Sequence, residues 1–265
     1  MAHDVFVSAD WLAGRLDDVR VVDVRDAWEY EGIGHVPGAV SVPFDAFRAE
    51  ESGQAEAGML PGADEFAALV GDAGIATGDE VVAYDDTNGV FAARFLVTAL
   101  LYGHPFEALH LLDGDFSAWN RSQEVSREPV EPAPADYEAA FDPSGPLIAI
   151  DEVRAALDDP GAVLVDSRED WEFDEGHLPG AVRIDWREAV DEESRGLKPR
   201  DELERLFAER GVTRDRRVVL YCNTARRISH TYLVLRHLGY EDVAFYEGSL
   251  TEWEAEGGEL RTGTG

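Results

Sequence analysis

Cys222 is the only cysteine among the 265 residues, and it opens the segment Cys-Asn-Thr-Ala-Arg-Arg at 222–227. The segment lies between an apolar run and a helical pattern, so its backbone amides can turn inward around the sulfur. Arg226, Arg227 and the positive end of the following helix favour a thiolate over a thiol. A thiolate there is a nucleophile, and the same cradle suits a persulfide anion or a small dianion such as thiosulfate. The alternative is a buried, inert cysteine, the common state of a free thiol.

The spacing of the arginines bears on a rival chemistry, phosphoryl transfer. Phosphatases built on a cysteine loop place an arginine six positions after the cysteine, where it chelates a tetrahedral phosphoryl group. Here the arginines stand four and five positions after Cys222, and position 228 is isoleucine. The pattern therefore disfavours a phosphatase or arsenate reductase, and the shorter loop better suits a single sulfur atom.

Short apolar runs alternate with helical patterns around this segment, which is typical of parallel strands joined by crossover helices. The runs at 163–166, 217–221 and 243–246 predict buried strands, and those at 21–24, 81–84 and 109–112 predict strands of the first half. Helices are predicted at 150–157, 200–209 and 227–238. Ligands of parallel α/β sheets bind beyond the carboxyl ends of the strands, and Cys222 directly follows such an end.

The two halves of the chain repeat one another. The matched blocks are 22–30 with 165–173, 34–40 with 176–182, 82–85 with 219–222, and 112–114 plus Trp119 with 246–248 plus Trp253. Four blocks in the same order indicate duplicated domains. The proline-rich stretch before the second copy predicts an extended linker. We therefore divide the chain into 1–122, a linker at 123–145, and 146–265.

Composition limits the partners and the setting. The chain carries 23 Lys plus Arg against 55 Asp plus Glu, a formal net charge of −32, and its single lysine is Lys198. Such a surface repels phosphates and anionic lipids, which argues against nucleic-acid and membrane partners. Abundant acid with scarce lysine predicts adaptation to concentrated salt, with ordinary acidic solubility as the alternative. The N-terminal residues lack a basic and apolar leader pattern, so we expect a cytoplasmic protein.

Several motifs resemble the tandem-domain rhodanese family, sulfurtransferases that include thiosulfate sulfurtransferase and 3-mercaptopyruvate sulfurtransferase. They are Asp-x-Arg with an acid-aromatic pair, Gly-His-x-Pro-Gly-Ala, the strand-cysteine loop, and Glu247-Gly followed by Trp253. The resemblance implies an α/β fold of two tandem rhodanese-like domains, each a parallel sheet flanked by helices. It also implies a catalytic second domain and a non-catalytic first domain, since Asp85 stands at the position of Cys222.

The resemblance implies catalysis through a Cys222 persulfide that passes sulfur to cyanide or a thiol. Donor-binding residues would be Asn223, Thr224, Ala225, Arg226 and Arg227, with Arg168 either joining them or holding structure through a carboxylate. Two arginines in the loop resemble the thiosulfate-using members.

Two positions depart from the family pattern: Ala225 stands where glycine is common, and Glu172 where a substrate arginine often stands. A 3-mercaptopyruvate donor, or a persulfide carrier that does not turn over small donors, remains an alternative. Nothing in the chain calls for a metal or an organic cofactor.

Overall fold

The computed structural model describes residues 4–49, 59–143 and 145–263, which form two compact units. Unit 1 comprises residues 1–143 with 192–197, and unit 2 comprises 144–191 with 198–265. The predicted division assigns 192–197 to the second domain, and the structure differs there. Residues 1–3, 50–58, 144 and 264–265, which the predicted domain bounds include, lie outside the described residues.

Unit 1 is a parallel sheet with helices on its connections. Its elements are β1 (Phe6–Val7), α1 (Ala9–Ala13), β2 (Arg20–Asp23), α2 (Ala27–Gly32), β3 (Val40–Ser41), α3 (Ala63–Asp72), β4 (Val81–Tyr84), α4 (Val90–Leu101), β5 (Leu109–Leu112) and α5 (Asp115–Ser122). The strands lie in the order β1-β5-β4-β2-β3. Every residue of β4 and β5 is buried, because helices cover both faces of a parallel sheet.

Unit 2 repeats this architecture. Its elements are α6 (Ile150–Leu157), β6 (Ala162–Asp166), α7 (Asp170–Glu175), β7 (Val182–Arg183), α8 (Arg200–Ala208), β8 (Arg217–Tyr221), α9 (Arg226–His237), β9 (Val243–Phe245) and α10 (Ser249–Ala255). The strands lie in the order β7-β6-β8-β9, and all pairs are parallel. The two sheets confirm the predicted fold class. Each predicted strand and helix is also present, and its bounds differ from the predicted bounds by at most one residue at either end.

Matching features recur at the core of each unit. Trp119 and Trp253 are 1% and 3% exposed, and each indole N–H donates to a backbone carbonyl, of Glu124 and Glu259 respectively. In each unit, a buried histidine stacks on an aromatic ring of the preceding helix, with ring centroids 3.6–3.8 Å apart. The repeat in sequence is therefore a repeat in packing.

Residues 123–143, most of the predicted linker, run along unit 1 without regular secondary structure. Backbone hydrogen bonds join Ser126 to His35, Ala135 to Gly71, and Ala140 to Tyr102. Within the described part of the chain, every helix is too short or too polar to span a bilayer.

Candidate active site

Cys222 is the first residue after β8, and its backbone is held by the start of α10. The Cys222 N–H donates to Ser249 Oγ at 3.1 Å, and its carbonyl accepts from Leu250 N–H at 3.0 Å. Ser249 Oγ in turn donates to the Tyr246 carbonyl at 2.9 Å. The cysteine is 1% exposed. Two strand ends, β8 and β9, therefore fix the position of the sulfur-bearing residue.

The loop between Cys222 and α9 is short and strongly curved. Ala225 has φ +62°, in the left-handed region that favours glycine, and it is fully buried. The Asn223 carbonyl accepts from Thr251 Oγ1 at 3.0 Å, and the Ala225 carbonyl accepts from Ser229 Oγ at 2.9 Å. Helix α9 begins one residue later, so its positive end lies beside the loop, where it favours an anion.

Glu172, on α7, enters the same site. One carboxylate oxygen accepts from Asn223 Nδ2 at 2.9 Å and from Arg227 Nη2 at 3.1 Å, while the other pairs with Arg227 Nη1. Burial raises the pKa of the Glu172 carboxyl, but the bonds from Arg227, the Glu169 N–H and Asn223 outweigh it and hold the pKa below its ordinary value. Glu172 is therefore a carboxylate paired with one of the two loop arginines.

Arg168 lies beneath the loop in a buried ion pair. Its Nε and Nη2 donate to the Asp166 carboxylate at 2.9 and 2.7 Å, and Nη2 also donates to the Gly176 carbonyl at 2.6 Å. Nη1 reaches Asn223 Oδ1 at 3.4 Å. Burial lowers the pKa of Arg168, but Asp166 more than compensates and raises it overall. These contacts link the end of β6 to the loop that Cys222 opens.

Hydrogen bonds join three of the predicted site residues, Asn223, Arg227 and Arg168, and these bonds run through Asn223 and Glu172. The other predicted residues, Cys222, Thr224, Ala225 and Arg226, complete the same loop, where Thr224 and Arg226 are half-buried. Two further residues contact the loop: Ser249, which was not predicted, and Glu172, which was noted only as a departure from the family pattern. The repeat is the sequence signal for Ser249, because it follows the Glu-Gly block that matches Asp113-Gly114.

The corresponding loop of unit 1 is occupied by a carboxylate of its own. Asp85 is buried, and its two oxygens accept four backbone N–H groups at 2.7–3.0 Å, from Thr87, Gly89, Phe91 and Ala92. Burial raises the pKa of Asp85 to about 6, against the opposing effect of those donors. The amides that surround the end of β4 are therefore already engaged by an internal anion.

Asp115 stands in unit 1 where Ser249 stands in unit 2, with a similar positive φ of +54°. Its carboxylate accepts from the Asn88 and Ser117 N–H groups and pairs with Arg195 at 2.7 Å. Arg195 belongs to the 192–197 segment of unit 1. The loop that Asp85 opens is thus closed by hydrogen bonds and an ion pair.

Each unit therefore presents a strand-end loop that leads into a buried helix, and only the loop of unit 2 carries a nucleophilic side chain at its first position. A thiol at the carboxyl end of a parallel strand beside a helix N-terminus lies in a position that favours the thiolate form and can bind a small anion.

Comparison with known proteins identifies the class. The Rhodanese-like domain matches residues 8–122 and 149–256. Relatives named "Putative thiosulfate sulfurtransferase" from Mycobacterium leprae and Haloferax volcanii are each 32% identical, over 94% and 95% of this chain and 94% of their own. The 3-mercaptopyruvate sulfurtransferase of Escherichia coli K12 is 30% identical over 96% of both chains. The chain belongs to the rhodanese family, and its activity is that of a sulfurtransferase.

Solved structures of other proteins superpose on this chain. The crystal structure of SseA from Escherichia coli, described as a 3-mercaptopyruvate sulfotransferase, superposes with a TM-score of 0.81 at 29% identity, covering 93% of this chain and 98% of that one. A complex of EanB with ergothioneine gives a TM-score of 0.86 at 20% identity, covering 98% of this chain and 70% of that one. The second likeness is one of fold.

Proposed function

We propose that this chain transfers sulfane sulfur from thiosulfate to a thiophilic acceptor, cyanide or a thiol, through a persulfide on Cys222. The observation that carries the proposal is the buried thiol at the end of β8, next to the start of α9 and to Arg226 and Arg227. Relatives named for thiosulfate over nearly their whole length support the same donor.

The reaction takes two displacements. The Cys222 thiolate attacks the outer sulfur of thiosulfate; a new S–S bond forms, and the old one breaks with its electron pair leaving on sulfite. The acceptor then attacks the terminal sulfur of the persulfide. With cyanide, the carbon–sulfur bond forms as the persulfide bond breaks, which releases thiocyanate and returns the thiolate. Asn223, Thr224, Ala225, Arg226 and Arg227 are proposed to surround the donor, and the N-terminus of α9 to stabilise the persulfide anion.

Intact mass tests the covalent step. The protein is incubated with thiosulfate and then with cyanide; we expect a gain of one sulfur atom that cyanide removes. Because Cys222 is the only cysteine, Cys222→Ser is a complete control and should gain nothing while its circular dichroism stays native. A Cys222→Ser protein that still forms thiocyanate catalytically would refute the proposal.

A second candidate donor is 3-mercaptopyruvate. Its support is the pairing of Arg227 with Glu172, which lowers the positive charge of the loop, and the relative named for that donor. Comparison of kcat/KM for the two donors separates these candidates. A persulfide carrier would instead form thiocyanate only stoichiometrically.

The acidic, lysine-poor composition supports action in a cytoplasm with concentrated salt. Assays should therefore be run in molar salt as well as at low ionic strength.

A further inference from the structure

A carboxylate is an unexpected neighbour for a thiol that must attract an anion. Glu172 is 6% exposed and lies across from the loop that Cys222 opens, in direct contact with Asn223 and Arg227. The Arg227 side chain is itself 19% exposed. Charges this far from bulk water are weakly screened, so each contributes to the potential at the sulfur.

We propose that Glu172 is a specificity-determining residue: by neutralising Arg227, it limits how strongly the Cys222 loop prefers a dianion over a monoanion. This inference deepens the proposed function and rests on it. Arg226 and Arg227 alone would favour a doubly charged donor such as thiosulfate. With Glu172 in place, the same loop admits a singly charged donor at a smaller disadvantage.

A purely structural reason for Glu172 accounts for only part of its contacts. Glu172 occupies the third position of α7, where its Oε2 accepts from the Glu169 N–H at 3.1 Å in a capping box. Glu29 makes the same contact with the Asp26 N–H at 3.2 Å in unit 1. A glutamine would serve equally in a capping box, so this role does not require the charge.

The two units differ in the other side chains that lie beside this carboxylate, which belongs to Glu29 in unit 1 and to Glu172 in unit 2. In unit 1, the neighbour of Glu29 is Asp86, and burial together with Asp86 raises the pKa of Glu29 to about 7. In unit 2, the neighbours are Asn223 and Arg227, and the pKa of Glu172 is lowered. Only in the unit with the thiol is the carboxylate held ionised by a cation of the loop, among the residues that the structure describes.

The charge at the sulfur can be measured without sulfur transfer. Iodoacetate and iodoacetamide are similar in size and differ by one negative charge, and both alkylate a thiolate. The ratio of their second-order rate constants cancels the thiolate fraction and reports the local potential. Since Cys222 is the only cysteine, the ratio refers to one site.

We expect Glu172→Gln to raise the iodoacetate-to-iodoacetamide ratio about fivefold at low salt, and less in molar salt. Glu29→Gln, the matched variant in the capping box of unit 1, should leave the ratio unchanged. Arg227→Met should lower it, which provides a change of opposite sign should Glu172→Gln fold poorly. The proposal would be overturned if the iodoacetate-to-iodoacetamide ratio stayed within twofold of wild type in both Glu172→Gln and Arg227→Met. It would also be overturned if Glu29→Gln raised the ratio as much as Glu172→Gln does.

Donor selection is then read from turnover. Glu172→Gln should raise the ratio of kcat/KM for thiosulfate to that for 3-mercaptopyruvate about fivefold, because the donors differ by one charge. An unchanged donor ratio would overturn the assignment of Glu172 to specificity. If the wild-type protein used neither donor, the proposed function would fail, whereas the alkylation ratios would still decide the effect of Glu172 on the site.

Discussion

Replacing Arg168 with glutamine should destabilise unit 2 strongly. The side chains of Arg168 and Asp166 are 4% and 0% exposed, and two N–H···O contacts of 2.7–2.9 Å join them. Glutamine cannot reproduce that pairing, so the Asp166 charge is left buried without its cation. Removal of one member of a buried ion pair costs about 3–5 kcal/mol. For a unit of this size, we expect the melting temperature to fall by roughly 10–20 °C.

Calorimetry and denaturant titration measure this loss, and the repeat provides a matched variant. Arg25 pairs with Asp23 in unit 1 with side chains 1% exposed, and it also donates to the Gly34 carbonyl at 2.7 Å. Arg25→Gln should therefore lower the stability of unit 1 by a similar amount. Adding Asp166→Asn to Arg168→Gln removes the stranded charge and should recover at least part of the loss.

Two results would refute this reasoning. The first is an Arg168→Gln protein whose free energy of unfolding lies within about 1 kcal/mol of wild type, below the expected cost of a stranded charge. The second is a double variant no more stable than the single one. A normal stability accompanied by a raised donor KM would instead assign Arg168 to donor binding.

Four further outcomes are expected. Arg227→Ala should raise the thiosulfate KM about tenfold in steady-state assays, because it removes a cation and leaves Glu172 unpaired; an unchanged KM would contradict the role of Arg227. Ala225→Gly should stabilise unit 2 by about 0.5–1 kcal/mol in denaturant titration, since glycine tolerates φ +62°; a loss of stability would argue against that conformation. The pKa of Glu29 is raised to about 7 in the folded state, so the protonated carboxyl stabilises unit 1. This contribution to the free energy of unfolding is complete at pH 4 and is lost as the pH rises through 7. Asp86→Asn should lower that pKa and flatten the dependence of the unfolding free energy between pH 5 and 8; an unaltered slope would exclude the Glu29–Asp86 contact as its source. Finally, the melting temperature should fall as salt is reduced from 1 M to 0.1 M, because the Debye length grows from about 3 to 10 Å and exposes the net charge of −32 to self-repulsion; a melting temperature independent of salt would favour ordinary acidic solubility.

Six strands, and three helices of unit 2, were predictable because their residues are strongly patterned, whereas no bounds were predicted for the helices of unit 1, although α3 and α4 are ten and twelve residues long. The strand over 217–221 and the helix over 150–157 have the predicted bounds, since the apolar run that follows Arg217 and the clear amphipathic period of the helix leave little choice. The two-residue strands β1, β3 and β7 were not predicted. A run so short has no period of its own, and its pairing with a neighbouring strand is what makes it a strand.

The candidate active site likewise has features that the sequence predicts and features that depend on the fold. The sequence by itself determined that one thiol follows a buried strand, that two arginines follow the thiol, and that the first copy has a carboxylate at the matching position. These facts depend on residue type and on spacing along the chain. Together with the repeated motifs, they were sufficient to indicate the family and the candidate nucleophile.

Only the tertiary structure decided how the charges are paired. Glu172 and Arg227 are 55 residues apart in the chain, and the Ser249 hydroxyl that holds the Cys222 backbone is 27 residues away. Segment 192–197 likewise packs in unit 1, where Arg195 meets Asp115. Coulomb interactions act over a few ångströms of space regardless of sequence separation, so a residue type indicates that a charge exists, and the fold determines which charge it neutralises.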